Sequence, residues 1–202
     1  MLEKAKETTR EGKYLHLEYA RFADDCVILV DVHRKWDCLW NGVNRSLREE
    51  LAKLQVHINE EKTKELDLAK GDNFGFLGFD FRRMRTKANK WRVDYKPKMQ
   101  ARSKVIDKVR DVFQRHGSQP LTRVRDLVNP ILRGWVQYFK VGNSSKAFGY
   151  VKDWLTKKIR RHLMKAKGKH GFGWTRWSTK GLYAMYNIYN DFKLSQRKVA
   201  PT

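Results

Sequence analysis

Tyr19-Ala20-Arg21-Phe22-Ala23-Asp24-Asp25-Cys26-Val27-Ile28-Leu29-Val30 sets an apolar run on either side of Ala-Asp-Asp. Each run is rich in aromatic or β-branched residues, as a half-buried strand should be. Aspartate favours turns and tolerates unusual backbone angles, so the centre reads as a tight hairpin turn between strands at about 15–31. Taken alone, such a pair of acids is a solvated turn. Two carboxylates at a strand tip are also well placed to hold a divalent cation through oxygen ligands, and burying them unpaired would be costly.

The charge of the chain sets the context for that hairpin. The 202 residues carry a formal net charge of +22. Residues 1–66 hold 12 Lys/Arg and 13 Asp/Glu, whereas residues 67–202 hold 32 Lys/Arg and 9 Asp/Glu. A near-neutral part with clustered acids is thus followed by a part with an excess of 23 cations, which implies a polyanionic partner. The excess is spread over several elements and not gathered on one amphipathic helix, which argues against a membrane surface. No apolar run approaches the ~20 residues of a membrane span. The first residues, Met-Leu-Glu-Lys-Ala-Lys-Glu, are charged and lack an apolar signal region. Cys26 and Cys38 are the two cysteines, with no Cys-x-x-Cys pair to support a zinc site or disulfide framework. Both are expected to be ordinary buried or half-buried thiols, and the compartment reducing and cytoplasmic.

Residues 2–13 resemble the end of a helix closed by Gly12. From Lys35 to Leu54, Trp36, Leu39, Trp40, Val43, Leu47, Leu51 and Leu54 recur at helical spacing, with both tryptophans expected in the core. Val56–Leu66 reads as a turn and then a strand. Asn73–Arg83 contains two glycines, which mark a bulge or a close approach of another backbone or ligand. Trp91–Tyr95 is a further strand, pairing across the polar Met84–Lys90 turn. Helices follow at 98–115, 121–139, 146–166 and 178–194. Pro130 is expected to kink or open the second of these, and Gly142–Ser145 to end it and cap the next. On the third, Phe148, Val151, Trp154, Leu155, Ile159 and Leu163 are expected to face inward. Strands first and helices after predict an α+β fold, with domains at 1–97 and 98–202.

Four stretches together resemble the reverse transcriptase and maturase proteins encoded by group II introns. Arg21-Phe22-Ala23-Asp24-Asp25 is similar to the Tyr-Ala-Asp-Asp catalytic hairpin, with Phe22 in place of tyrosine. Ile58-Asn59-Glu60-Glu61-Lys62-Thr63 resembles the next motif, whose lysine lies near the incoming nucleotide. Phe76-Leu77-Gly78-Phe79 resembles the element that supports the primer end. Val124–Phe139 is similar to the maturase, or thumb, region. The four occur in the family's order.

The resemblance implies a partial reverse-transcriptase palm at 1–97 followed by a helical thumb and maturase domain at 98–202. It implies an RNA-directed DNA polymerase, a nucleotidyltransferase of a retroelement, acting in intron splicing and mobility. Its partners would be group II intron RNA and an RNA template/DNA primer duplex. Asp24 and Asp25 would be two of three carboxylates holding Mg²⁺ in a two-metal site. Phe22, Ala23, Asn59, Lys62, Phe76, Leu77 and Gly78 would lie near nucleotide or primer. Arg82, Arg83 and Arg85 are expected beside the primer duplex, and Arg125 on RNA. Lys157, Lys158, Arg160 and Arg161 are expected on the outer face of a thumb helix against RNA backbone. Trp174 and Trp177, beside a Gly- and Lys-rich loop, are the candidates for stacking on bases. Trp135 and Trp154 sit on apolar stripes and are expected in the core.

The family's first catalytic aspartate and its fingers precede the hairpin, and the 23 residues before Asp24 contain no aspartate. The chain is therefore expected to be the C-terminal portion of a longer protein, whose N-terminal half would complete the polymerase site. The alternative is an RNA-binding maturase fragment with no catalysis of its own. A third class, a basic RNA-binding protein unrelated to introns, requires the ordered motifs to be chance. Primer extension on an RNA template with Mg²⁺ separates the first two: no incorporation is expected from this chain alone, and clear incorporation would overturn that expectation.

Overall fold

The computed structural model describes residues 17–30 and 37–195, with side chains throughout except at 37–39. The fold is α+β, with five helices and two small antiparallel sheets among the described residues. Two compact units divide between Leu66 and Asp67. This is earlier than the boundary at residue 97 drawn from sequence. It falls where the charge changes: the first unit has a net charge of −1 and the second +23.

In the first unit, β1 (Leu17–Phe22) and β2 (Asp25–Val30) pair antiparallel, with Leu17 opposite Val30 and Phe22 opposite Asp25. Two residues, Ala23 and Asp24, make the turn. Ala23 takes a left-handed φ of 50°, as two-residue hairpin turns require. Helix α1 (Asp37–Lys53) follows, with Val43 buried. Trp40 is exposed, against the expectation of a core position. The predicted helix at 2–13 and Trp36 lie outside the described residues.

Val56–Leu66 does not form the expected strand. Its backbone is taken up in a turn, with Asn59 O accepting from Lys62 N and Thr63 N at 3.1 and 2.9 Å. Its acids instead reach α1: Arg48 Nη1 donates to Glu60 Oε1 at 2.6 Å, and Asn44 Nδ2 to Glu65 Oε1 at 2.7 Å.

The second unit begins with β3 (Asn73–Phe76), β4 (Phe79–Arg85) and β5 (Trp91–Pro97), an antiparallel sheet in the order β3-β4-β5. Leu77 and Gly78 form the first turn with φ of 48° and 77°. A positive φ explains Gly78, where the sequence suggested a bulge or a ligand contact. One sheet face carries Phe74, Phe81 and Tyr95 in a stacked row, with centroid spacings of 5.0 and 5.5 Å.

Helices α2 (Met99–Arg115), α3 (Leu121–Phe139) and α4 (Ser145–Ala166) then build the main core with the short α5 (Thr179–Met185). Val109, Val124, Leu132, Val151, Leu155, Ile159 and Leu182 are at most 2 % exposed in one cluster. Of the inward residues predicted on α4, Val151, Leu155, Ile159 and Leu163 are buried there with Trp154 partly buried against the cluster, and Phe148 is buried in a second cluster. This second cluster joins sheet to helices: Phe79 meets Val136, Phe139 and Phe148, with Phe81, Tyr95 and Trp135 against it. Pro130 lies inside α3, which runs as one helix from Leu121 to Phe139.

Ser144 occupies the position before α4 but does not cap it with its side chain. Its hydroxyl donates back to Phe139 O at 2.6 Å and so closes α3 instead. The last helix is shorter than predicted. Asn187 turns left-handed at φ 49°, and Asn129 on α3 captures the backbone beyond. Its Nδ2 donates to Asn187 O at 3.1 Å and its Oδ1 accepts from Tyr189 N at 2.8 Å.

Candidate nucleic-acid interface

The acidic hairpin tip is open. Phe22, Ala23, Asp24 and Asp25 are all exposed, and Arg21 Nε donates to Ala23 O at 3.0 Å across the turn. Cys26 beside them is also exposed, not half-buried as expected; partial burial of its thiol still raises the pKa. Asp24 and Asp25 supply oxygen donors suited to Mg²⁺. Among the described residues, no group of three or more His, Cys, Asp or Glu lies together to hold a metal. Two carboxylates by themselves supply only part of a cation's oxygen ligands. Asn59 and Lys62 are exposed in the turn of the same unit.

Phe76, Leu77 and Gly78 belong to the second unit. Their turn is tied to the helices, since Tyr138 Oη donates to Leu77 O at 2.9 Å and Lys98 N to Gly78 O at 2.9 Å. Arg82 is engaged: its Nε donates at 2.8 Å to Oδ2 of Asp94, which is 7 % exposed. Burial opposes the charge on Asp94, but hydrogen bonds from Asn143 and Arg82, with the Arg82 charge, hold its pKa below the usual value. Arg83 and Arg85 are exposed.

Arg125 is also occupied. Its guanidinium bonds Asp126 Oδ1 at 2.6 and 2.9 Å and reaches Tyr186 O at 3.4 Å. The longer of these contacts links α3 to the backbone just after α5.

The outer turns of α4 carry a further group of cations. From Trp154 to Asn190 there are nine Lys/Arg and no Asp/Glu. Lys157 and Arg161 are exposed, and Lys157 pairs with Asp153 at 2.8 Å. Lys158 is half-buried; that burial, then the charges of Arg110 and Arg161, push its pKa down. Lys158 thus sits among cations of its own sign.

Arg160 does not lie on the outer face. It is 1 % exposed, and its guanidinium points under the loop that follows α4. It donates to Gly173 O at 3.2 Å and to Thr179 Oγ1 at 3.3 Å. Nε has no partner among the described residues. The guanidinium carbon sits 4.3 Å from the Trp174 ring centre. The next residue, Arg161, lies over Phe172 at 4.6 Å, and the Phe172 and Trp174 rings are 5.8 Å apart. Two neighbouring arginines thus each back one ring of the loop. Trp174 is 52 % exposed. Trp177 is half-buried against the core, 5.4 Å from Lys167 Nζ, so only Trp174 of the two presents an open ring.

Sequence periodicity missed Arg160. The stripe Phe148, Val151, Leu155, Ile159 defines one buried face, whereas Thr156, Arg160 and Met164 are buried beside it. The signal was in the later chain: the Gly-Phe-Gly-Trp loop and α5 cover that second side of α4.

The second unit is therefore a helical bundle with a small sheet, whose cations stand in excess of their acids. Residues 102–181 match the family model of the group II intron, maturase-specific domain. The match supports the C-terminal portion of a group II intron maturase, a class involved in intron splicing with intron RNA as partner. No curated protein matches the chain. No described helix is long and apolar enough to cross a membrane.

Proposed function

We propose that this chain is the C-terminal portion of a group II intron-encoded reverse transcriptase and maturase. In this reading β1 and β2 are the metal-holding hairpin of the palm. The helices are the thumb and maturase surface, and α4 with its following loop grips intron RNA. Asp24 and Asp25 would hold Mg²⁺, which supplies the two-metal nucleotidyl-transfer chemistry when the rest of the site is present. The observation that carries the RNA-binding reading is the run of nine Lys/Arg with no Asp/Glu between Trp154 and Asn190, Lys157 and Arg161 among them exposed, all nine lying in the segment that matches the maturase-specific domain.

Charge reversal tests it. K157E/K158E/R161E should lower affinity for a group II intron RNA by about 10²-fold or more near physiological salt. It should also flatten the dependence of log K on log salt by roughly one unit for each phosphate no longer neutralised. The assignment fails if affinity and salt slope both stay at wild-type values. Arg160 is left out of this variant because its guanidinium is buried under the loop.

A further inference from the structure

The β4–β5 hairpin continues past the helices. On one face, Phe79, Phe81 and Tyr95 are packed into the cluster that joins sheet to helices. The same face then runs on through the directly opposed pairs Arg83–Val93 and Arg85–Trp91. There it is open: Trp91 is 52 % and Val93 58 % exposed. The Arg83 guanidinium carbon lies 4.2 Å from the Trp91 ring centre, and that of Arg85 at 5.3 Å.

The arm is tied by hydrogen bonds at both ends. At its tip Thr86 N donates to Lys90 O at 2.8 Å, and Lys90 N to Thr86 Oγ1 at 3.1 Å. At its root Asn143 N donates to Tyr95 O at 2.7 Å and Tyr95 Oη to Val141 O at 2.7 Å.

Its charge has one sign. From Phe81 to Val93 there are six Lys/Arg and no Asp/Glu. Among the described residues only Arg82 of these six has an acidic partner, Asp94. A half-exposed aromatic ring with guanidiniums against it that lack an acidic partner is a combination that takes a nucleotide: the exposed part of the ring stacks on a base and the cations meet the phosphates beside it. A purely apolar partner would leave those cations desolvated and unpaired.

We propose that Trp91, with Arg83 and Arg85, forms a binding site for an unpaired nucleotide of single-stranded RNA. The site lies outside the segment that matches the maturase-specific domain. Its choice of RNA rests on the function proposed above; its preference for a single strand rests on the open ring.

The test uses the full chain with two labelled probes, a single-stranded oligouridine and a blunt RNA duplex of equal length. Trp91→Ala should weaken binding of the single strand by about 5- to 100-fold, with duplex affinity changed less than about twofold. Trp91→Phe, which keeps a stacking face, should retain most of the affinity. R83Q/R85Q should reduce the salt slope for the single strand by roughly one to two units. Wild-type affinity in Trp91→Ala overturns the site, as does an equal loss on both probes or a Trp91→Phe loss as large as that of Trp91→Ala. If the wild-type chain binds structured intron RNA but not oligouridine, this site alone fails. If it binds neither, the proposed function fails with it. Loss of self-association in Trp91→Ala with RNA binding intact would make the face an interface between copies, and overturns the site.

Discussion

Arg160→Ala should destabilise the helical unit by about 2–5 kcal/mol, while Arg160→Met should stay within about 1 kcal/mol of wild type. The two substitutions separate packing from charge. Arg160 is among the largest fully buried side chains, so truncation to alanine empties a space between α4 and the Gly173 loop and loses its packing. The guanidinium, however, is buried with no acid beside it among the described residues, and burial pulls its pKa down. An unpaired buried charge is expensive, and an apolar residue of similar volume removes that cost. Against this stands the loss of two long hydrogen bonds, to Gly173 O and Thr179 Oγ1, each worth about 1 kcal/mol. The opposing effects nearly cancel in methionine. Binding should not follow stability. Without the guanidinium behind it, the Trp174 ring loses its backing, and both variants should bind intron RNA several-fold more weakly. Thermal unfolding and RNA titration of the pair check this. Methionine at wild-type affinity would show that Trp174 does not depend on Arg160 for its position.

That a buried charge survives here bears on what could be read from the chain. The hairpin at Asp24 was legible because a two-residue turn between an aromatic-containing run and a β-branched run leaves few alternatives. The three long helices were legible because Val124, Val128, Leu132 and Val136, like Phe148, Val151, Leu155 and Ile159, keep strict helical spacing over many turns. Readings failed where tertiary partners decide. Val56–Leu66 has strand-forming residues at both ends, but Glu60 and Glu65 find partners on α1 and the backbone turns. Tyr186 and Tyr189 keep the helical spacing of α5, yet Asn129 takes the backbone hydrogen bonds that the helix would have used. Leu77-Gly78 looked like a strand interior and is a turn, since glycine in a run of phenylalanines supports either. The candidate site shows the same limit. Lys157 and Arg161 could be placed on the outer face by periodicity; Lys158 is half-buried, and Arg160 is buried because the element that covers it comes later in the chain. Trp91 was not legible as a site because its arginine neighbours are brought to it by strand register.

Gly142→Ala should cost about 1–3 kcal/mol, whereas Gly134→Ala should stabilise by about 0.5–1 kcal/mol. Both add a single methyl group, so the sign is set by surroundings. Gly134 lies within α3, and a Cβ there meets nothing within 4 Å; alanine simply removes the entropy cost of a helical glycine. At Gly142 a Cβ would stand 2.8 Å from the Phe79 ring and 2.9 Å from Tyr95 O. Neither can yield cheaply. The Phe79 ring is packed edge-on against Phe139 with centroids 4.9 Å apart, and Tyr95 O is held by Asn143 N. The backbone must move, and overpacking of this kind has that cost. The movement has a direction. The segment from Val141 to Asn143 lies against β5 and holds it through Tyr95 Oη, Tyr95 O and the Asn143–Asp94 hydrogen bond. Pushing it away frees the root of the β4–β5 arm. Amide hydrogen exchange should therefore quicken in Gly142→Ala at Asn143 and along β5, while the amides of α2 keep wild-type protection. If Trp91 binds RNA as proposed, the same variant should weaken oligouridine binding with every arm residue intact. Uniformly faster exchange across α2 and β5 would instead mean that the arm and the bundle unfold as one.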